Sequence, residues 1–277
     1  MSSMLRNIST VANGPTLEPP VVPIRNKIQI EGLHKTYLTR TGRTIALQDV
    51  NLTIGGDEFI SLVGPSGCGK STLLRLLSAL IRPSKGKISI GGLPVSSPSS
   101  DVGIVFQQPI LLPWRTVLDN VLLPAEILGL DLRRATERAY ELLKLVGLEG
   151  FENRNPHELS GGMQQRAAIC RALIHNPSIL LMDEPFAALD ALTREELGLE
   201  LLRIWSVAKK TIIFVTHNIS EAILLSDRVV AMSPRPGRIS EIVEINLPRP
   251  RTIDMEFTQE FKNYSDRIRA AISRGGI

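Results

Sequence analysis

With 277 residues the chain can form one large domain or two small ones, and its 43% hydrophobic content suits an ordinary soluble core. No apolar run approaches the ~20 residues needed to cross a bilayer; the longest, from Leu73 to Ile81, is broken by Arg75 and Ser78, and the N-terminus lacks an apolar signal core, so the chain is expected to stay in the cytoplasm. The two cysteines, Cys68 and Cys170, are too few for a disulfide framework, and a net charge of +4 reads as solvated surface rather than as a nucleic-acid or lipid footprint.

Residues 1–26 are rich in Ser, Pro and Asn without an apolar period, and are expected to form a flexible extension. Ordered sequence begins near Lys27. From there short apolar runs alternate with amphipathic stretches, the pattern of βαβ units and a mostly parallel sheet. Phe59 to Val63 reads as a strand, followed by a glycine-rich turn and a helix starting near Lys70. Buried strands are expected at Ile104–Phe106, Ile179–Met182 and Ile212–Val215. Between the second and third of these four strands, helical patterns run over Thr116–Gly129 and Arg133–Val146. Thr116 with Asp119 resembles a capping box, Ala135, Ala139, Leu142, Leu143 and Val146 share a face, and Gly147 stands where a helix would end. From Arg249 onward Arg249, Arg251, Lys262, Arg267, Arg269 and Arg274 suggest a terminal helix with a basic face.

Gly64-Pro65-Ser66-Gly67-Cys68-Gly69-Lys70-Ser71-Thr72 fits the phosphate-loop pattern G-x-x-x-x-G-K-[ST]. Its glycines let backbone N–H groups turn toward phosphate oxygens, and the helix that follows adds its positive N-terminal end. Lys70 is expected to reach the β- and γ-phosphates and the Ser71 hydroxyl to ligate magnesium. Cys68 occupies a variable position and carries no redox role. The apolar strand Ile179–Met182 delivers Asp183 and Glu184 to the edge of the sheet where open α/β folds bind ligands. Asp183 should hold magnesium, through water, and Glu184 should orient the attacking water.

Leu159-Ser160-Gly161-Gly162-Met163-Gln164 places a Ser hydroxyl and two glycines at a helix start, a second anion-binding N-terminus. One chain then carries two phosphate-binding helix starts but one lysine-bearing loop. A head-to-tail dimer, with each γ-phosphate held between the loop of one copy and Ser160-Gly161-Gly162 of the other, satisfies that count. The plainer alternative is a turn that only caps a helix.

Over about Lys27 to Pro248 the chain resembles the ABC transporter nucleotide-binding family, whose signature motif Leu159–Gln164 matches. The resemblance implies a P-loop NTPase (RecA-like) α/β core with a small antiparallel β subdomain, a helical insert over about 108–165 and a helical tail over 249–277. It implies ATP and Mg2+ as ligands. It makes Gln107 the Q-loop residue that contacts magnesium, Asp190 the D-loop residue that touches the partner's site, and His217 the switch histidine that senses the γ-phosphate. Tyr37 lies where the family stacks an aromatic on adenine; its alternative is plain packing or surface. Leu111-Leu112-Pro113-Trp114 and Arg235-Pro236-Gly237-Arg238-Ile239, the latter following the last expected strand, resemble the nitrate/sulfonate/taurine-type import branch. Trp114 then sits where a membrane subunit's coupling helix would dock, or else anchors the insert. Two features depart from the family's pattern: the loop Phe186-Ala187-Ala188 has Ala where many relatives carry Gly, and the N-terminal extension is long.

The implied function is ATP hydrolysis by a homodimer, coupled to import of a small anion across a bacterial inner membrane. Two transmembrane permease subunits and a periplasmic or lipid-anchored binding protein are the implied partners, with no nucleic acid. A chromosome- or repair-type ATPase would separate the two phosphate-binding motifs by long coiled coils, whereas here 89 residues lie between Lys70 and Ser160 without sustained heptads. A translation-associated ATPase would usually carry two cassettes. A small-molecule phosphotransferase would have no use for Ser160-Gly161-Gly162.

Overall fold

The computed structural model describes residues 27–39, 42–187, 189–208 and 210–274. The expected extension over 1–26, Ala188 and the last three residues of the tail lie outside them. The described residues open with two long strands, β1 (Ile28–Thr39) and β2 (Gly42–Ile54), paired antiparallel with Ile28 opposite Ile54 and Ile30 opposite Leu52. Two further strands, β4 (Lys85–Ile90) and β5 (Leu93–Pro94), complete an antiparallel sheet of order β2-β1-β4-β5.

The second sheet contains β3 (Phe59–Val63), β6 (Val102–Val105), β7 (Ile179–Asp183), β8 (Thr211–Val215), β9 (Arg228–Met232) and β10 (Ile239–Glu244). Its order is β10-β9-β3-β8-β7-β6, parallel throughout except for β10 at one edge. Every residue of β3 and β8 is buried, which explains their unbroken apolar composition: a parallel sheet is covered on both faces.

The period of two then sorts the side chains. Phe59 and Phe214 point to one face, where they meet Trp205 and Phe186 with ring centroids 5.4–6.2 Å apart. Ile60, Leu62, Ile213 and Val215 point to the other. There they pack against Leu73, Leu76 and Leu77 of α1 (Lys70–Leu77) and against Ile28, Leu47 and Ile54 of the antiparallel sheet.

Between β6 and β7 lie α2 (Val117–Ile127), α3 (Leu132–Leu145) and α4 (Gly161–Leu173). The capping box at Thr116 and Asp119 is formed, and Ala135, Ala139, Leu142, Leu143 and Val146 are buried as the helical period requires. Gly147 follows α3 at φ 66°, a left-handed backbone that a side chain would resist. Two further helices, α5 (Ala191–Ala208) and α6 (Ile219–Leu225), flank β8 in the chain.

The C-terminal segment differs from its sequence reading. The helix α7 spans Gln259–Arg274, so Arg249 and Arg251 precede it. It buries Phe261, Ile268 and Ala271 against Ile223, Val229 and Val243. Arg267 and Arg274 pair with Glu241 of β10. Arg251 is only 4% exposed and donates to the carbonyls of Ile223, Leu224, Ser226, Ile245 and Leu247. Burial lowers its guanidinium pKa to about 10. Arg249 reaches Asp227 and stacks over Trp205 at 4.3 Å. The basic residues therefore do not form one solvent-facing stripe; several tie the segment to the core.

Candidate functional site

Sheet order decides which loops meet. In the series β3-β8-β7-β6 neighbouring strands run parallel and nearly level, with Leu62 and Asp183 both opposite Val215 and Met182 opposite Val105. The loops that follow these strands begin at Gly64, Thr216, Glu184 and Phe106, so four sequence-distant motifs share one edge of the sheet. The result is a cleft of about 320 Å³ lined by Tyr37, Thr44, Ala46, Ser66, Gly67, Gly69, Lys70, Ser71, Thr72, Gln107, Glu184 and Arg235.

The phosphate loop is built on close backbone approaches. A Cβ at Gly64 would lie 2.8 Å from the Met232 carbonyl oxygen, and one at Gly69, where φ is 107°, would lie 2.6 Å from Leu47 Cδ2. The Pro65 carbonyl accepts from Cys68 N at 3.2 Å, closing the turn. Lys70 is buried, and its Nζ donates to the carbonyls of Gly64 (2.8 Å) and Pro65 (3.2 Å) beside Cys68 Sγ. Cys68 itself is buried, and burial pushes its thiol pKa up, away from the reactive thiolate.

A hydrogen bond joins the loop to the end of β7, where two carboxylates stand side by side. Ser71 Oγ donates to Asp183 Oδ1 at 2.9 Å, and burial raises the Asp183 pKa, an effect that the Ser71 hydrogen bond opposes. Glu184 holds a left-handed backbone at φ 46°, rare for a non-glycine residue, while its N–H donates to the Val215 carbonyl at 3.0 Å. Glu184 Oε2 lies 3.2 Å from His217 Nδ1 and accepts from Gln107 Nε2 at 3.3 Å. One carboxylate oxygen is thus held between the loops after β6 and β8.

His217 is set by its neighbours. Thr216 Oγ1 accepts from Asn218 N at 3.0 Å and donates to Glu221 Oε2 at 2.6 Å. Glu221 in turn pairs with Arg194, whose Nη2 donates to the Leu189 carbonyl beside Asp190. Asp190 accepts from Thr193 N at 3.0 Å and from Thr193 Oγ1 at 2.7 Å, bonds that lower its pKa.

Whether the donor set suits magnesium can be tested on these atoms. Among the described residues no group of three or more His, Cys, Asp or Glu side chains could enclose a metal. Mg2+ seldom needs one: it typically takes one or two carboxylates, with waters and substrate phosphates filling its octahedron. The adjacent Ser71 hydroxyl and Asp183 carboxylate, with the Gln107 amide nearby, are hard oxygen donors of that kind and fit the ion.

The motifs read from sequence therefore separate into two groups. Tyr37, the phosphate loop, Gln107, Asp183, Glu184 and His217 are assembled at one sheet edge. Ser160, Gly161, Gly162 and Asp190 are not among the residues lining the cleft. Ser160 caps α4, its Oγ accepting from Met163 N at 3.3 Å, and Ser160 and Gly161 are exposed.

Some site residues escaped the sequence reading. Thr44 and Ala46 line the cleft from β2, and Arg235 reaches it from the turn after β9. That turn is followed by β10, so it does not end the sheet as the sequence suggested. Gln165 is fully buried on α4 and donates to the Phe106 carbonyl at 3.0 Å, tying the Ser160 helix to the residue before Gln107.

Comparison with known proteins agrees with this geometry. The sequence profile described as ABC transporter matches residues 47–187. An ABC transporter ATP-binding protein of Methanocaldococcus jannaschii is 50% identical over 242 residues, covering 87% of this chain and 90% of that protein. The aliphatic sulfonates import ATP-binding protein SsuB of Bacillus cereus is 42% identical over 250 residues, covering 90% and 97%. Among solved structures, a dimeric ATP-binding cassette in a post-hydrolysis state bound to ADP and Pi superposes with a TM-score of 0.73 at 35% identity, over 80% of this chain and 100% of that one. The chain belongs to the ABC transporter family, as an ATP-binding, ATP-hydrolysing cassette with a P-loop NTPase fold.

Proposed function

We propose that this ATPase energises import of a small anion of the aliphatic sulfonate, taurine or nitrate class across a bacterial inner membrane. It works as a homodimer at the cytoplasmic face, beside two transmembrane permease subunits supplied by a periplasmic or lipid-anchored binding protein. No helix of the described residues is long and apolar enough to cross a membrane, so translocation falls to those partners.

In this reading Tyr37 stacks on adenine, and the N–H groups of the loop from Gly64 to Thr72 cradle the phosphates. Lys70 leaves its carbonyl partners for the β- and γ-phosphates. Ser71, Asp183 and Gln107 hold Mg2+, which neutralises charge on the phosphates. Water attacks the γ-phosphorus, the bond to the bridging oxygen of ADP breaks, and Glu184 takes the water's proton. His217 keeps Glu184 in place and reads the γ-phosphate. Ser160, Gly161 and Gly162 of a second copy close the site, with that copy's Asp190 beside them. The exposure of Ser160 and Gly161, away from their own chain's cleft, supports this arrangement.

The loop after Gln107 supports the docking role. Asn120 is fully buried and holds Leu112 N, Leu112 O, Arg115 O and Thr116 O, while Arg171 holds Ile110 O. On this pinned scaffold Ile110 is 58% and Trp114 75% exposed, so Trp114 is not a core anchor. The observation that carries the import reading is the likeness to the sulfonates import protein over nearly its whole length. The test is to reconstitute the chain with its permease and binding protein and measure ATPase activity and uptake with taurine, an alkanesulfonate and nitrate. Stimulation by one of the three is expected. Silence with all three, beside stimulation by an uncharged solute, would remove the anion class.

A further inference from the structure

The turn between β9 and β10 rests directly on the phosphate loop. It is closed by Ser233, whose N–H donates to the Arg238 carbonyl at 2.9 Å and whose Oγ accepts from Arg238 N at 3.0 Å. Gly237 N donates to the Ala46 carbonyl at 3.0 Å, and Gly237 O accepts from Gln48 N at 2.9 Å. A Cβ at Gly237 would stand 1.9 Å from the Cys68 carbonyl oxygen, so this glycine lets the turn touch the backbone of the loop. Three segments distant in sequence, β2, the phosphate loop and this turn, are locked together at one point.

That lock aims Arg235. Its Nε and Nη2 both donate to the Gly67 carbonyl, at 3.3 and 3.2 Å, and it lines the same cleft as Lys70, Ser71 and Tyr37. A guanidinium carries five donors in a rigid fork, so the Nη1 amino group is left for another acceptor. Among the described residues Arg235 pairs with no carboxylate. The Gly67 carbonyl fixes its direction without cancelling its charge. An unneutralised, planar cation at the rim of a polyphosphate cradle meets the phosphate oxygens that a fork of donors suits.

We infer that Arg235 is a second basic ligand of the nucleotide's phosphates, supplied from outside the phosphate loop and aimed by its bonds to the Gly67 carbonyl. This inference rests on the assignment of Lys70 and its loop to the nucleotide. Arg235 lies in the stretch that sequence reading used only as a mark of the import branch.

The experiment compares Arg235→Gln, which keeps a donor for Gly67 but loses the charge, with Arg235→Lys, which keeps the charge. Lys70→Ala serves as the reference. The full chain is titrated calorimetrically with ADP and with adenosine, at low and high salt. One charge-assisted contact predicts a loss of roughly tenfold in ADP affinity for Arg235→Gln. Arg235→Lys, which keeps the charge without the fork, should recover part of it, adenosine should bind unchanged, and the deficit should shrink as salt screens the pair. ADP affinity equal to wild type in Arg235→Gln overturns the inference. So does an equal loss in both variants, or a matching loss for adenosine, because then Arg235 only braces the loop. If Lys70→Ala binds ADP normally, the loop assignment itself fails and the inference falls with it. If Lys70→Ala is defective while Arg235→Gln is not, only the inference fails.

Discussion

Glu184 Oε2 and His217 Nδ1, from residues 33 apart in the chain, lie 3.2 Å apart at the ends of adjacent parallel strands. The same carboxylate oxygen accepts from Gln107 Nε2. A carboxylate held from two sides keeps its second oxygen, Oε1, for a water. Replacing Glu184 with Gln preserves shape and removes the base, so ATP should still bind while turnover falls by ~10²–10⁴. The variant should accumulate as an ATP-containing dimer on size-exclusion chromatography. Hydrolysis at the normal rate would show that the proton goes elsewhere.

Binding and chemistry should separate between Lys70 and His217. Lys70 is buried in the loop, and in the proposed reading its charge turns to the β- and γ-phosphates, so Lys70→Ala should weaken ATP itself. His217 is exposed, and among the described residues its ring meets the cleft at Glu184. His217→Ala should lose hydrolysis with much less loss of affinity. Equal defects in an equilibrium titration of the two variants would contradict these roles.

The composite site can be tested by mixing. A dimer of one Lys70→Ala chain and one Ser160→Arg chain puts both defects in one site and leaves the other intact. Partial activity should return, unless the two sites are strictly coupled. A disulfide between cysteines placed at Ser160 and in the opposing phosphate loop resolves that case. Crosslinks found only within single chains would rule out the head-to-tail arrangement.

Arg251 offers a stability test away from the cleft. Arg251→Met keeps the apolar stem but leaves five buried carbonyls, those of Ile223, Leu224, Ser226, Ile245 and Leu247, without this donor. Unmet buried acceptors cost ~1–3 kcal/mol each before relaxation, so a net loss of about 3 kcal/mol is expected. Arg269→Ala, on the exposed side of α7, should stay within ~0.5 kcal/mol. Thermal unfolding of the two variants gives the comparison, and similar melting temperatures would refute the anchoring role.

How far the sequence carried depends on the range over which each residue acts. Strand β3, the phosphate loop and α1 were legible because an apolar run, a glycine pattern and a helix start are local signals. Asp183 and Glu184 were legible because they end an apolar run. Arg235 acts on Gly67 across 168 residues and Gln165 on Phe106 across 59, and no spacing within either segment encodes such a contact. Arg251 was misread for a related reason. A tally of basic residues near a terminus cannot tell a guanidinium pointing to water from one capping carbonyls in the core.

Solute specificity should reside outside this subunit. The cleft is lined by the phosphate loop with Lys70, by Glu184, Arg235 and Tyr37, a set that suits a nucleotide rather than a small anion. The C-terminal basic residues are engaged separately: Arg249 with Asp227, Arg251 with carbonyls, Arg267 and Arg274 with Glu241. A transported anion should therefore leave the ATPase rate of the isolated chain unchanged. Its influence should arrive through the permease, at the loop that Asn120 and Arg171 pin and from which Trp114 projects. ATPase assays of the purified chain and of the full transporter with its binding protein, each with and without the anion, separate the two. Stimulation confined to the full assembly, and lost in Trp114→Glu, is expected. A saturable response of the isolated chain to micromolar anion would instead place a regulatory site on this subunit.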